Sequence, residues 1–229
     1  MLYEAIRRGS KLYHDNSGSS NRFYASYLRD KRAEMWESGV IDEAEAARLR
    51  LFVNQWSTRY QSTPGQLMVA MNSFLPRLNL LAHEDLLSVR LDSSVGGTNV
   101  AELIQTSFDG IARCGRQYES TGTAKILHIV NPVLLVMWDS AIKAAVGVPR
   151  HGDGSAYAGA FLPKMQRLAR EAVEQCMVHR GIGELDAVRY LCPCGHSLAK
   201  VIDEYNCVKY VGGRGFELDA VVGRSQENH

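Results

Sequence analysis

A single aspartate follows a long apolar stretch near the middle of the chain. Residues 120–142 read STGTAKILHIVNPVLLVMWDSAI, and Asp139 comes directly after Trp138. The residues that follow, DSAIKAAVG, predict a helix with Asp139 or Ser140 at its N-cap. A carboxylate in that position accepts backbone N–H bonds and faces the positive end of the helix dipole. Asp139 is therefore either a cap that stabilises the helix by about 1 kcal/mol or an acid placed for chemistry.

The apolar residues before Asp139 predict the elements that must position it. Residues 123–130 predict a short buried helix, and the Asn-Pro pair after it predicts the helix end, because the residue before a proline is pushed out of the α region. Residues 133–138 predict an extended link to the next helix. His128 lies on the apolar helix, where a histidine is more typical of a hydrogen-bonded core residue than of a catalyst.

The composition is that of an ordinary globular protein forming one compact unit. Of the 229 residues, 45% are hydrophobic and 22% are charged. No apolar stretch approaches the roughly 18 residues of a membrane-spanning helix, and the N-terminus lacks the apolar segment of a signal peptide. We therefore expect a cytoplasmic protein with no membrane partner. The net charge of +1 gives no global basic field of the kind that marks many nucleic-acid-binding proteins.

The cysteines bear on redox state and metal binding. Five of them are scattered along the chain, which argues against a disulfide framework. Cys192, Cys194 and His196 carry thiol and imidazole groups that could bind zinc, but structural zinc sites usually combine two pairs of ligands. We therefore predict no metal and no cofactor.

Helical periodicity dominates the rest of the chain and predicts a mostly α fold. In residues 160–180 the apolar positions recur every three or four residues, and Gly181 predicts the end of that helix. Asp42 predicts the N-cap of an earlier helix. Pro64 predicts the start of another helix and Pro76 a break in it. Few segments alternate polar and apolar residues for long enough to predict strands.

The arrangement around Asp139 resembles the helix-hairpin-helix DNA glycosylase superfamily. In that superfamily a small-residue hairpin followed by Thr-Ala leads, after an apolar helix and a short link, to a catalytic aspartate. Here Thr123-Ala124 lead to Asp139 in the same order. The resemblance implies a two-lobed helical fold with the active site in the cleft between the lobes. The implied lobes are residues 45–138, and residues 1–44 together with 139–229.

The resemblance also implies a reaction and a partner. A DNA glycosylase flips a modified base out of double-stranded DNA and hydrolyses its N-glycosidic bond, which leaves an abasic site. Positive charge develops on the deoxyribose as that bond breaks. Asp139 would stabilise this charge and orient or deprotonate the attacking water. We expect the chain to act as a monomer without a cofactor.

The hairpin departs from the superfamily pattern. Its usual Gly-x-Gly sequence presents backbone amides to a DNA phosphate, whereas this chain has ESTGTA with only Gly122. Bifunctional members carry a Schiff-base lysine immediately before Thr-Ala, and Gly122 occupies that place. Lys125 lies beyond the pair, where it would contact phosphate or pair with an acid. We therefore predict a monofunctional enzyme.

Two further sets of residues are candidates for contacts with DNA or the flipped base. In each case ordinary packing or a solvent-exposed linker is the alternative explanation. The predicted DNA contacts are Gly122, Thr123, Lys125, Arg150 and His151. The predicted base pocket or wedge consists of Trp138, Asn54, Trp56, Arg59 and Tyr60.

The sequence does not identify the base. The C-terminal cysteines do not reproduce the ligand spacing of the iron–sulfur members of the superfamily. The chain looks more similar to divergent prokaryotic and phage-linked relatives that act on hypermodified bases. One group of these is implicated in antiviral defence and excises glucosylated hydroxymethylcytosine. The alternatives are a phage-type modified-thymine pyrophosphorylase or transferase on the same scaffold, and a non-catalytic helical DNA-binding module in which Asp139 only caps a helix.

Overall fold

The computed structural model describes residues 1–31, 33–56, 59–149 and 152–211. These residues are mostly helical, which confirms the predicted α class. The α-helices are α1 (Leu2–Asn16), α2 (Gly18–Asp30), α3 (Ala33–Ser38), α4 (Glu43–Gln55), α5 (Pro64–Leu78), α6 (Val100–Ala112), α7 (Ser120–Val130), α8 (Ser140–Ala145), α9 (Gly154–Ala156), α10 (Leu162–Arg180), α11 (Glu184–Leu191) and α12 (Leu198–Asn206). A short antiparallel hairpin pairs β1 (Ser94–Val95) with β2 (Thr98–Asn99).

The helices pack in two sets. The N-terminal helix α1 packs most extensively on α12 and also contacts α10 and α11, so the two ends of the chain lie together. The helices α4, α5, α6 and α7 pack in sequence order, and α6 also contacts α9. The buried apolar residues of both sets form one continuous cluster.

Of the helix boundaries predicted at Asp42, Pro64, Pro76 and Gly181, the structure confirms all except Pro76. Asp42 caps α4 through a bond from Glu45 N at 2.8 Å. Pro64 begins α5, and Gly181 ends α10 in the left-handed region with φ 64°. The predicted break at Pro76 is wrong, because α5 continues to Leu78. Pro76 lies in the last turn, so the helix continues for only two residues beyond the backbone bond that the proline removes.

The hairpin before Asp139 lies earlier than the sequence predicted. Helix α7 begins at Ser120, so Gly122 sits in its first turn, and the connection from α6 is residues 113–119. A Cβ atom on Gly122 would lie 2.3 Å from Cδ2 of Tyr60. Glycine is therefore needed here so that α7 can approach the Tyr60 ring.

The link that leads to Asp139 is held at its start by Asn131. This residue is buried at the end of α7, where the predicted helix end is confirmed. Its Nδ2 donates to the carbonyls of Leu81 at 2.7 Å and Glu84 at 3.2 Å. Its Oδ1 accepts from the backbone N–H groups of Val133 and Leu134. The side chain thus ties the link to the segment after α5.

Replacing Asn131 with alanine should destabilise the fold, because four hydrogen bonds to backbone groups are lost at a buried position. We expect Asn131→Ala to lower the free energy of unfolding by about 1–3 kcal/mol, measured by urea denaturation. Asn16→Ala is the matched control, since the exposed Asn16 makes one local bond to Leu12 O and should change stability by less than about 0.5 kcal/mol. Equal effects of the two substitutions would contradict the assigned role of Asn131.

Candidate functional site

Asp139 borders a small cavity where the two sets of helices meet. The cavity has a volume of about 270 Å³. Its walls come from α1, the end of α4, α7, the link before α8, and α12 with the π-helical turn Cys207–Val211 that follows it. The residues in these walls with polar or ionisable groups are Tyr13, Gln55, Lys125, Asp139, Asp203 and Cys207.

The structure confirms that Asp139 caps helix α8. Its Oδ1 accepts a bond from Ile142 N at 2.8 Å, and its backbone carbonyl accepts from Lys143 N at 2.9 Å. Both bonds fix the carboxylate at the helix N-terminus, where the dipole favours negative charge. A carboxylate has two oxygens and several acceptor positions. Capping therefore leaves Asp139 able to accept a further bond from a ligand in the cavity.

Lys125 lies in the wall of the same cavity. Its Nζ donates to the carbonyl of Trp56 at 2.6 Å and lies 5.7 Å from the centroid of the Trp56 ring. Burial lowers the pKa of the Lys125 ammonium to about 8, although the nearby carboxylates of Asp203 and Asp139 oppose this shift. Lys125 thus lies near the two acids of the cavity.

A buried ionic cluster on α12 supports this wall. Every residue of α12 is buried, and Lys200 is fully enclosed. The Lys200 ammonium lies 3.0 Å from Asp203 Oδ2 and 3.5 Å from Glu204 Oε1. Burial alone would lower the pKa of Lys200, but the two carboxylates outweigh it and raise the pKa. The lysine therefore stays charged inside the protein.

Aromatic rings surround the same ammonium. Lys200 Nζ lies 4.8 Å from the ring centroid of Tyr13, 5.4 Å from that of Tyr24 and 5.3 Å from that of Trp56. Ring faces attract cations, and the attraction is stronger where water is excluded. The cage links α1, α2, α4 and α12 around one charge, and two of its rings, those of Tyr13 and Trp56, also border the cavity.

The two acids of the cluster have different surroundings. Glu204 accepts bonds from Ser10 Oγ at 2.6 Å and His196 Nδ1 at 2.8 Å. Burial would raise the pKa of Glu204, but these bonds and the Lys200 charge lower it. Burial raises the pKa of Asp203, against the opposing effect of Lys200. Glu204 is thus held as a structural anion, while Asp203 faces the cavity.

A second pocket lies on the other side of the Asp139 segment. It has a volume of about 540 Å³ and is bordered by residues 117–122, at the start of α7, and by Ser140 at the start of α8. Arg59, Arg113 and Lys143 contribute its positive charges, and Glu119 and Asp153 contribute negative charges. Arg59 and Arg113 are exposed, whereas Lys143 is buried against Trp138, with Nζ 5.1 Å from the ring centroid. The pocket suits an anion at a helix N-terminus.

The segment Trp138–Ser140 separates the cavity from the second pocket. Trp138 and Asp139 border the cavity, and Ser140 borders the pocket. Trp138 Nε1 donates to the carbonyl of Ser120 at 3.2 Å, and Lys143 Nζ donates to Ser120 Oγ at 3.4 Å. These bonds fix the start of α8 against the start of α7, so the two sites have a set spacing.

The predicted base-pocket residues fall in three places. Trp56 and Trp138 border the Asp139 cavity, although Trp138 is only 1% exposed and packs mainly in the core. Arg59 and Tyr60 border the second pocket instead. Asn54 borders neither of the two; its side chain bonds both the N–H and the carbonyl of Tyr60, at 2.7 and 3.3 Å, and so closes the loop after α4.

The predicted DNA contacts also divide. Gly122 borders the second pocket, whereas Thr123 is fully buried, with no exposed surface. Arg150 and His151 lie outside the described residues.

His128 is a core residue, as interpreted from the sequence. Its Nδ1 donates to Leu135 O, its Nε2 accepts from the Tyr24 hydroxyl at 2.9 Å, and burial lowers its pKa to about 3, so it is neutral.

Two other features of the described residues bear on the choice of site. A larger groove of about 1010 Å³ lies between α10, α11 and residues 85–88. It contains neither Asp139 nor the buried cluster, so volume alone does not identify the site. Within the described ranges, no group of three or more histidine, cysteine or acidic residues has the geometry to hold a metal ion.

Comparisons with models of known families, with curated proteins and with solved structures give no match. Among the helices of the described residues, none is long and apolar enough to span a bilayer.

Sequence reasoning missed the contribution of α12 to the site. The apolar residues of α12 recur every three or four positions, which is typical of a helix with one buried and one solvated face. All of α12 is buried, so the charges of Lys200, Asp203 and Glu204 point into the protein. Their i, i+3, i+4 spacing was the available signal, but it is equally typical of an exposed helix.

The Lys125 ammonium should give the protein a distinctive pH dependence of stability. Its pKa is about 8 in the fold against an ordinary value of 10.5, so between these pH values the unfolded chain binds more protons. Between pH 8 and 10.5, the free energy of unfolding of the wild type should therefore rise with pH when compared with that of Lys125→Met. Urea denaturation of both proteins at pH 7.5, 9 and 10 measures the difference. Parallel stability curves would contradict the lowered pKa.

Proposed function

We propose that the chain is a monofunctional DNA glycosylase that acts on a modified base in double-stranded DNA. The observation that carries the proposal is the position of Asp139 between a polar, partly aromatic cavity and a pocket at the start of α7 to which two exposed arginines contribute. An enzyme that excises a base must hold the DNA backbone immediately beside the pocket that receives the base. The segment Trp138–Ser140 meets that requirement.

The cavity is suited to a single flipped base. Its volume of about 270 Å³ lies just below the range of about 300–1,000 Å³ that is usual for drug-sized ligands. The Trp56 side chain offers an aromatic wall, and the cavity combines acids, an amine and an amide. Aromatic walls stack on a base, and polar groups read its edge.

Asp139 provides the chemistry. The C1′–N bond breaks with its electron pair leaving on the base, and positive charge develops on the sugar. The carboxylate stabilises this charge and accepts a proton from the water that attacks C1′. The base takes up a proton as it leaves, and an abasic site remains. Because a cap already fixes the Asp139 carboxylate, little reorganisation is needed as charge develops.

The start of α7 is the proposed phosphate site. Backbone N–H groups of a helix N-terminus and the dipole both favour an anion. Arg59 and Arg113 add exposed positive charge on the same pocket. We propose that the backbone N–H of Gly122 contacts a DNA phosphate. The close packing of Gly122 on Tyr60 separately explains why this residue is glycine.

The helix packing supports the proposed two-lobed arrangement. One lobe would consist of residues 45–138, and the other of residues 1–44 with residues 139–229. The contacts of α1 with α10, α11 and α12 join the two ends of the chain, as this arrangement requires. The cavity receives side chains from both proposed lobes. One copy of the chain supplies the acid, the cavity and the cationic pocket, which fits action as a monomer.

The absence of a lysine at position 122 supports hydrolysis without strand cleavage. Lys125 borders the cavity, but its ammonium is engaged by the Trp56 carbonyl. The proposed substrate is a hypermodified base such as glucosylated hydroxymethylcytosine of phage DNA, with antiviral defence as the role. The modest net charge of +1 fits an enzyme that need not bind all DNA strongly.

Substitution of Asp139 tests the proposal directly. Asparagine still caps a helix but carries no negative charge, so Asp139→Asn should fold normally and lose activity by at least about 10²-fold. Abasic sites are measured by aldehyde labelling on DNA from unmodified phage and from phage with glucosylated hydroxymethylcytosine. Asp42→Asn is the matched control, because Asp42 caps α4 outside the cavity; it should keep full activity.

The other outcomes of this assay separate the rival functions. If wild type and Asp139→Asn both give only the labelling seen with DNA in the absence of protein, the chain is a non-catalytic DNA-binding module. A changed base without an abasic site would indicate the transferase. Strand breaks that disappear in Lys125→Met would show that the enzyme is not monofunctional.

The proposed phosphate site predicts a salt-dependent defect. Arg59→Gln with Arg113→Gln should weaken DNA binding about equally on all sequences and reduce the slope of log K against log salt by about 1 for each lost contact. Fluorescence anisotropy with a labelled duplex at several salt concentrations measures this slope. Arg189→Gln, on the exposed part of α11, is the control. An unchanged slope would place the DNA on another surface.

A further inference from the structure

The cavity contains a second carboxylate, and the proposed reaction does not use it. Asp203 enters the wall from α12, whereas Asp139 enters from the start of α8. The Asp203 residue is 8% exposed, so the carboxylate lies at the boundary between the protein interior and the cavity. A buried acid at the wall of a cavity is a candidate for ligand contact.

Lys200 fixes the position of the Asp203 carboxylate. The bond between Lys200 Nζ and Asp203 Oδ2 is 3.0 Å long, and Lys200 is fully buried beneath three aromatic rings. A flexible lysine is thus held in one place, and the acid with it. Structural need alone does not explain the pair, because a buried ion pair can often be replaced by packed apolar residues without loss of stability.

The two acids bound to Lys200 differ in what else they bind. Glu204 is also bonded by Ser10 and His196, which are protein groups. The hydrogen bond described for Asp203 comes from Lys200, and the residue borders the cavity. The pKa values of the two acids differ in the same way. Burial raises the pKa of Asp203, whereas the bonds from protein groups lower the pKa of Glu204.

We propose that Asp203 contacts the flipped base and accepts a hydrogen bond from it, and that Lys200 is the residue that positions Asp203 for this contact. The inference rests on the proposed glycosylase function and deepens it. An ionised carboxylate accepts hydrogen bonds and donates none. The substrate must therefore present a donor to Asp203, either an exocyclic amine, as on cytosine, or a hydroxyl group on a substituent of the base.

The proposal defines what the cavity rejects. A base that presents only carbonyl oxygens towards Asp203 would leave a buried acceptor without a partner and bring two acceptors together. A site built to bind a donor discriminates strongly against an analogue that lacks it. We expect loss of the donor, or of the Asp203 charge, to reduce single-turnover excision by about 10- to 100-fold.

The test compares wild type, Asp203→Asn and Lys200→Met on three synthetic duplexes. One contains glucosylated 5-hydroxymethylcytosine, one contains 5-hydroxymethylcytosine without glucose, and one contains glucosylated 5-hydroxymethyluracil, which lacks the amine. If the amine is the donor, wild type prefers both cytosines to the uracil. If a glucose hydroxyl is the donor, wild type prefers both glucosylated bases. In either case Asp203→Asn should slow excision of the preferred bases and reduce the preference.

A double-mutant cycle separates positioning by Lys200 from a merely structural role. If Lys200 acts through Asp203, Lys200→Met should reduce excision in the wild-type background and have little further effect when Asp203 is already asparagine. Circular dichroism first checks that each variant is folded. Should Lys200→Met fail to fold, the comparison of wild type with Asp203→Asn still decides the contact, because Lys200 retains Glu204 as a partner in that variant.

The outcomes for the two proposals are distinct. If the wild type is active, and Asp203→Asn shows the same rates and the same preference on all three duplexes, the proposed role of Asp203 is overturned. The proposed glycosylase function is then unaffected. A wild type that forms no abasic sites on these duplexes or on phage DNA would overturn the proposed function, and the role of Asp203 with it.

Discussion

The buried ammonium of Lys200 is the constraint on which the candidate site depends. A full positive charge inside a protein is stable only where opposite charge and polarisable groups surround it. Asp203 and Glu204 supply the charge, and the rings of Tyr13, Tyr24 and Trp56 supply the faces. These partners come from four helices. The charge therefore joins four helices, and the cavity lies at their junction.

Asp139 combines a structural and a chemical role in one side chain. Its bond to Ile142 N fixes the carboxylate, and the same rigidity would make it an effective electrostatic group in a reaction. Both a helix cap and a catalytic acid need a carboxylate that is held in one position. The capping geometry therefore does not argue against catalysis. What distinguishes Asp139 from the cap Asp42 is its surroundings, which include Lys125, Asp203 and two tryptophans.

The sequence could predict the elements that depend on local chemistry. The end of α7, the cap of α8 and the turn at Gly181 all follow from residue types acting over a few positions. It could not predict that α12 is buried on every side, because that depends on α1 and α10 covering it. Pro76 shows the same limit, since residue type alone did not predict that α5 continues for two residues beyond it.

In the proposed function, the short segment Trp138–Ser140 would set the distance between the bound DNA backbone and the flipped base. Trp138 and Lys143 tie it to Ser120, so the distance from the anion pocket to the cavity cannot stretch to suit a larger nucleotide. A bulky substituent on a base bound in the proposed way would therefore extend away from this segment, towards the side of the cavity formed by α1 and α12. Selectivity for substituents would then evolve by changes on those two helices, while the residues around Asp139 stay as they are.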